Sequence, residues 1–251
     1  MVSGLVERMN ITFLGTGTCV HGTENKAQSS ILVEDDHTRL LVDCGAGTFL
    51  RLHDAGVHVN DIDAILLTHN HTDHNSDLLP ILKARWLEKG DKIGIYGPDG
   101  TKEFVNRLLE AYSYLKEKLN FSVDESLSFG VNGFDITTMS TLHSIASRAY
   151  LIEHGGKRVL ISGDTYPQKD IFTVECDLII HELSLPFNSQ TNDHTTPENL
   201  VEPLKSCKAK RLYFIHIYPH TYKIIGEIKQ YLSGYTETPI YIPQDLDKIC
   251  I

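Results

Sequence analysis

The run His69-Asn70-His71-Thr72-Asp73-His74, directly after the apolar stretch 64–67, constrains this chain more than any other feature. Three imidazoles and a carboxylate within six residues are donors that zinc and similar divalent ions prefer. If residues 64–67 form a strand, His69 and His71 leave its end pointing the same way, as alternate residues do. If a helix follows, the turn into it lets Asp73 and His74 reach a second point in space. One loop can then serve two cations. A merely solvated loop would account for a single histidine but gives no reason for this spacing.

Around the run, short apolar or β-branched segments alternate with helical patterns. Residues 10–14, 30–33, 39–42, 64–67 and 92–96 read as strands. Residues 47–55, 76–88 and 101–119 read as helices. The second places Leu78, Leu79, Leu82 and Trp86 on one face, and the third places Phe104, Leu108, Leu109 and Leu115 on one side. In the second half, strands are expected at 133–139, 149–153, 158–161, 177–180 and 211–215. Helices are expected at 168–174, 197–205 and 222–231, with Thr196 before Pro197 as a helix start. No Ser/Gly linker or repeat divides the 251 residues. The expectation is one domain, 1–251, of two similar αβ halves, with residues 1–8 as a frayed extension. Layer logic then places two sheets face to face with helices outside.

A net charge of −10 and the lack of a dense basic run argue against a large nucleic-acid partner, because such binding depends on Lys and Arg replacing counterions on phosphates. Five cysteines without CxxC spacing fit reduced thiols better than a disulfide framework. No apolar run is long enough to span a membrane, and no secretory signal is visible. A cytoplasmic protein is expected.

Further residues fall in an order that identifies a resemblance. Asp43 ends a strand in Leu-Leu-Val-Asp-Cys-Gly-Ala-Gly-Thr, and His143 lies in Ser-Thr-Leu-His-Ser. Asp164 lies in Ile-Ser-Gly-Asp-Thr, and His216 follows Leu-Tyr-Phe-Ile. Together with the histidine run they resemble the metallo-β-lactamase superfamily over nearly the whole chain. The segments 13–18 (Phe-Leu-Gly-Thr-Gly-Thr), 43–48 (Asp-Cys-Gly-Ala-Gly-Thr) and 95–98 (Ile-Tyr-Gly-Pro), with His181-Glu182 and His194-Thr-Thr, resemble its ribonuclease Z and phosphodiesterase branch. The fold implied is the four-layered αβ/βα sandwich, two mixed β-sheets flanked by helices. The resemblance further implies a first metal on His69, His71 and His143, a second on Asp73, His74 and His216, and Asp164 between them. Zinc suits this donor set best, with manganese or iron as alternatives. A water shared by two such ions is the implied nucleophile, with Asp73 also guiding its proton. His194 is the implied contact to the scissile phosphate. Glu182 is expected to orient it, and Asp43 to brace the metal-binding loop. His181 reads as a core histidine and His220 and Tyr218 as pocket rim, with His21, His37, His53, His58 and His154 on the surface.

The chain departs from the RNA-processing members in two places. Only twenty residues separate His143 from Asp164, so the long basic arm those members insert there is absent. Residues 19–28 also lack their proline and Arg-Asn pair. The leading expectation is therefore a phosphodiesterase acting on a small or cyclic phosphodiester. The alternatives are tRNA 3′-end processing without the arm and hydrolysis of a lactone, thioester or sulfate ester. A sensor on a retired scaffold is disfavoured because all seven ligand positions hold competent residues. The resemblance also implies a homodimer.

Overall fold

The computed structural model describes residues 8–20 and 26–251; the expected extension at 1–8, Arg8 apart, and His21 lie outside them. The first half forms β1 (Asn10–Gly15), β2 (Ser30–Glu34), β3 (Arg39–Val42), α1 (Thr48–Asp54), β4 (Ala64–Leu66), α2 (Thr72–Asn75), α3 (Leu78–Leu87), β5 (Ile93–Tyr96), α4 (Thr101–Ala111) and β6 (Phe121–Asp124). The second forms β7 (Ser128–Val131), β8 (Phe134–Ser140), β9 (Arg148–His154), β10 (Lys157–Ile161), α5 (Lys169–Phe172), β11 (Leu178–Glu182), α6 (Pro197–Leu204), β12 (Leu212–Ile215), α7 (Pro219–Tyr222), α8 (Ile225–Leu232) and β13 (Ile240–Tyr241). A final β14 (Lys248–Cys250) returns to pair with β1. Two seven-stranded sheets result, ordered β14-β1-β2-β3-β4-β5-β6 and β13-β12-β11-β10-β9-β8-β7. Each is mixed. Strands β3 to β6 and β10 to β13 run parallel, and the hairpin-joined strands run antiparallel.

Strand alternation sets the layers. In β3, Leu40 and Val42 join the core between the sheets, with Phe13, Ile152 and Ile180, while Leu41 packs outward with Leu52, Leu78 and Val105 from the helices. The second sheet does the same, packing Ile179 and Phe214 against Phe172, Leu200 and Ile228. Strands buried on both faces need apolar residues at consecutive positions, which explains runs such as Ala64–Leu66. The result is the expected αβ/βα order. No helix among the described residues is long and apolar enough to cross a membrane.

Several local expectations fail for physical reasons. The helix expected over 101–119 ends at Ala111, where Tyr112 leaves helical geometry (φ −116°, ψ 51°). Tyr112, Ser113 and Tyr114 are exposed, so no packing sustains another turn. Its buried residues are Thr101, Val105 and Leu109, leaving Phe104 half-buried. In α3 the buried set is Leu78, Ile81, Leu82 and Arg85. Arg85 displaces Trp86 from that face because its guanidinium donates to the carbonyls of Val59, Ile62 and Asp91. The helix expected at 222–231 begins at Ile225 as α8, the separate turn α7 ending at Tyr222 before it. Strands β6, β7, β13 and β14 escape sequence reading because they are short and carry exposed residues. His154 is not a surface residue: its side chain is 8 % exposed, pairs with Asp35 and stacks on Phe134.

Candidate metal centre

Every sequence-selected metal ligand lies just beyond a strand end. His69 and His71 follow β4, and Asp73 and His74 form the first turn of α2. His143 follows β8, Asp164 follows β10 and His216 follows β12. Because β4, β10 and β12 point to one edge of the sandwich, residues up to 147 positions apart meet there. The approach is close. A side chain at Gly45 would bring its Cβ to 2.0 Å from the Asp73 carbonyl oxygen. At Gly163 a Cβ would lie 2.6 Å from Thr68, on a backbone at φ +61°.

The donors fall into adjoining groups whose ligand atoms lie within 4.8 Å of one another: His69, His71 and His143; His69, His74 and Asp164; Asp73, His74 and His216. The first three rings form a near-regular triangle, with centroids 4.7, 4.7 and 4.8 Å apart. Asp164 lies between the others, its carboxylate oxygens 3.4 Å from His74 Nε2 and 3.4 Å from His216 Nε2.

Hydrogen bonds on the far side of the rings set their tautomers. His74 Nδ1 donates to Asp43 (2.7 Å), and His143 Nδ1 donates to the Asp193 carbonyl (2.9 Å). Thr68 Oγ1 donates to Asp43 (2.8 Å) and so accepts from His69 Nδ1 (3.1 Å). Asp43 also accepts the Thr68 N–H (2.8 Å), bracing the loop as expected. The outer nitrogens thus hold protons, and each Nε2 is turned inward. Buried His69 Nε2, His74 Nε2 and Asp164 Oδ1 have no hydrogen-bond partner. Buried polar atoms are rarely left so, and unsatisfied acceptors converging on one point fit a cation. This is a divalent-metal-binding site.

The local field agrees. Burial disfavours charge on His74, yet Asp164 and Asp43 hold its proton affinity well above the usual value. Burial likewise opposes ionisation of Asp73, but His216 and His74 bring it down to about 2. Asp164 is similarly held well below the carboxylate range by His216 and His74 against burial. The site demands positive charge.

His194 stands beside these groups. Its ring centroid is 5.0 Å from that of His143 and 6.2 Å from that of His216. Its Nδ1 donates to Glu182 Oε1 at 2.9 Å, so Glu182 occupies the orienting position. Glu182 is 1 % exposed and also accepts the N–H groups of Thr165 and Ser184. Burial works against the imidazolium, but Glu182, Asp164 and Asp193 outweigh it and lift His194 to about 9. Tyr218 packs beside both His194 and His216 and His220 is exposed beyond it, so both sit at the rim. His181 is wholly buried, its Nδ1 on the Glu182 carbonyl. Sequence reading passed over Thr68 and Ser184, which hold His69 and His216. Ser184 had one available signal: two residues from Glu182, it faces the same side of an extended chain.

The family described as anti-Pycsar protein Apyc1 matches residues 9–232. Ribonuclease Z of Methanopyrus kandleri is 43 % identical over 91 residues, 36 % of this chain and 32 % of that one. Ribonuclease Z of Mycolicibacterium gilvum is 33 % identical over 179 residues, 63 % of this chain and 62 % of its own length. The chain thus spans less than two thirds of these two relatives. The probable metallo-hydrolase YhfI of Bacillus subtilis is 31 % identical over 183 residues, 69 % of this chain and 72 % of YhfI. The crystal structure of YhfI, a metallo-β-lactamase fold protein, superimposes with a TM-score of 0.83 at 21 % identity, covering 98 % of this chain and 100 % of that one. That likeness speaks for the fold.

Proposed function

Because the chain belongs to the Apyc1 family of anti-Pycsar proteins, in the ribonuclease Z-like branch of the metallo-β-lactamase superfamily, we propose that it is a two-metal phosphodiesterase for a small or cyclic phosphodiester. The carrying observation is the set of buried, unpartnered acceptors on His69, His74 and Asp164. His69, His71 and His143 would hold one cation and Asp73, His74 and His216 the other, with Asp164 facing both. Zinc is the ion we propose. When bound, two such ions supply an acidified water and offset charge on the non-bridging phosphate oxygens.

The chain's own residues do the rest. Asp43 and Thr68 hold the outer Nδ1–H groups of His74 and His69, so the inward nitrogens are the ones a cation would take. Asp73, with Oδ2 also accepting the Cys19 N–H at 3.1 Å, is fixed as a ligand, and its low proton affinity makes it at most a transient acceptor. His194 carries the mobile proton. Glu182 holds its Nδ1–H, leaving Nε2 to donate to the leaving oxygen. A proton affinity lifted to about 9 also leaves room for the opposing field of two cations.

The substrate size follows from the missing arm. The segment between His143 and Asp164 is taken up by the β9–β10 hairpin. Exposed Leu142 and Ile145 flank His143, where they can contact an organic group on the phosphate. We extend the anti-Pycsar role in the family's description to this chain, and we expect a cytoplasmic homodimer. Metal-loaded protein should hydrolyse an aryl phosphodiester, and His194→Ala should lose about 10²–10⁴-fold in rate, the usual worth of a positioned acid. Equal rates for the two proteins would refute the assignment. The ribonuclease Z relatives support a second reading, tRNA 3′-end processing, which cleavage of a precursor tRNA in preference to small diesters would establish.

A further inference from the structure

The end of β11 reaches both imidazoles that flank the cleft opposite His69. Glu182 binds His194, and two residues later Ser184 binds His216. Ser184 is completely buried. Its Oγ lies 2.9 Å from His216 Nδ1 and 3.1 Å from the carbonyl oxygen of the same residue. A hydroxyl has one proton and a carbonyl can only accept, so the arrangement that satisfies both contacts sends the Ser184 proton to the carbonyl. The Oγ lone pair then faces Nδ1, which must carry a proton, and His216 Nε2 is turned to the cleft, 3.1 Å from Asp73 Oδ2 and 3.4 Å from Asp164 Oδ2, where a cation would take the place of a proton.

Ser184 itself cannot drift. Its N–H is held by Glu182 (2.9 Å), and its carbonyl accepts from Thr221 Oγ1 (2.7 Å) and the Tyr218 N–H (3.3 Å). His216 needs such a hold because its backbone lies in the left-handed region at φ 53°, a conformation kept only where surroundings impose it.

We propose that Ser184 is a positioning residue for one cation of the pair: it fixes both the tautomer and the backbone of His216, and through them the affinity of the Asp73–His74–His216 position. This rests on the metal reading above. The hydroxyl touches neither His69, His71 nor His143, so its removal should unbalance the two positions.

Zn²⁺ titration of metal-free protein against a chromophoric chelator tests the proposal. Wild type should bind two ions. Ser184→Ala should weaken one of them by about 10–100-fold, the range for lost outer partners of a ligating histidine, and leave the other within threefold. Ser184→Cys, closer in volume and a poor hydrogen-bonding partner, should do the same. A second readout needs no metal: ¹⁵N-histidine NMR should show the His216 Nδ1–H as a hydrogen-bonded, slowly exchanging proton in wild type and lose that protection in Ser184→Ala. Wild-type affinity at both positions in the variants, equal weakening of both, or an unchanged Nδ1–H signal would overturn the proposal. Failure of wild type to bind metal would instead overturn the proposed function, leaving the Nδ1–H result to stand or fall alone.

Discussion

Asp43→Asn provides a sharp test of how the centre is assembled. Asp43 Oδ1 accepts the Thr68 N–H, and Oδ2 accepts from Thr68 Oγ1 and His74 Nδ1 at 2.8 and 2.7 Å. The asparagine oxygen can keep the first bond. Its amide N–H₂ then stands where Oδ2 was and faces His74 Nδ1–H, donor against donor. Relief requires His74 to move its proton to Nε2, which removes the lone pair from the cleft. Thr68 Oγ1 must also turn to accept, which breaks its relay to His69 Nδ1. A lost charge-assisted hydrogen bond in a buried site costs about 1.5–3 kcal/mol. At about 1.4 kcal/mol per tenfold, that is roughly 10–150-fold in affinity. Because Asp43 reaches His74 directly and His69 through Thr68, both cation positions should weaken by an amount in this range. That distinguishes it from Ser184→Ala, which should weaken one. Chelator competition gives the two constants, and circular dichroism confirms folding. A folded Asp43→Asn protein binding both ions with wild-type affinity would refute the hydrogen-bond argument.

Metal removal should also lower stability. At free metal 1,000 times the dissociation constant, each site adds about 4.1 kcal/mol, so chelation should shift thermal melting strongly; identical melts would contradict a site that binds. His181 should contribute an acid limit. Burial lowers its proton affinity below 6.5, so the fold holds it neutral while the unfolded chain protonates near that value. Its contribution is present above pH 6.5 and is lost as pH falls below it. His181→Phe, packing between Phe172 and Phe214, should therefore lose less stability between pH 7 and 5 than wild type in urea titrations, and parallel losses would contradict this. Tyr150→Phe removes the buried O–H that donates to the Leu67 carbonyl at 2.8 Å. It should cost about 1–3 kcal/mol in denaturant unfolding, and a neutral result would mean that carbonyl finds another partner.

The sequence by itself determined the chemistry and the layer plan. Histidine and aspartate at metal-ligand spacing after an apolar strand are legible because donor type and local periodicity are properties of neighbouring residues. The doubly buried strands announce themselves for the same reason. Only the tertiary structure decided how the pieces meet. That Asp43 turns Thr68 toward His69, that Ser184 holds the Nδ1 proton of His216, and that Arg85 takes the buried face expected of Trp86 depend on partners distant in the chain, and α4 stops at Ala111 because no distant surface covers a further turn. Hydroxyls and guanidinium groups carry no periodic signature, and their value is set by which carbonyl or imidazole the fold places within 3 Å of them.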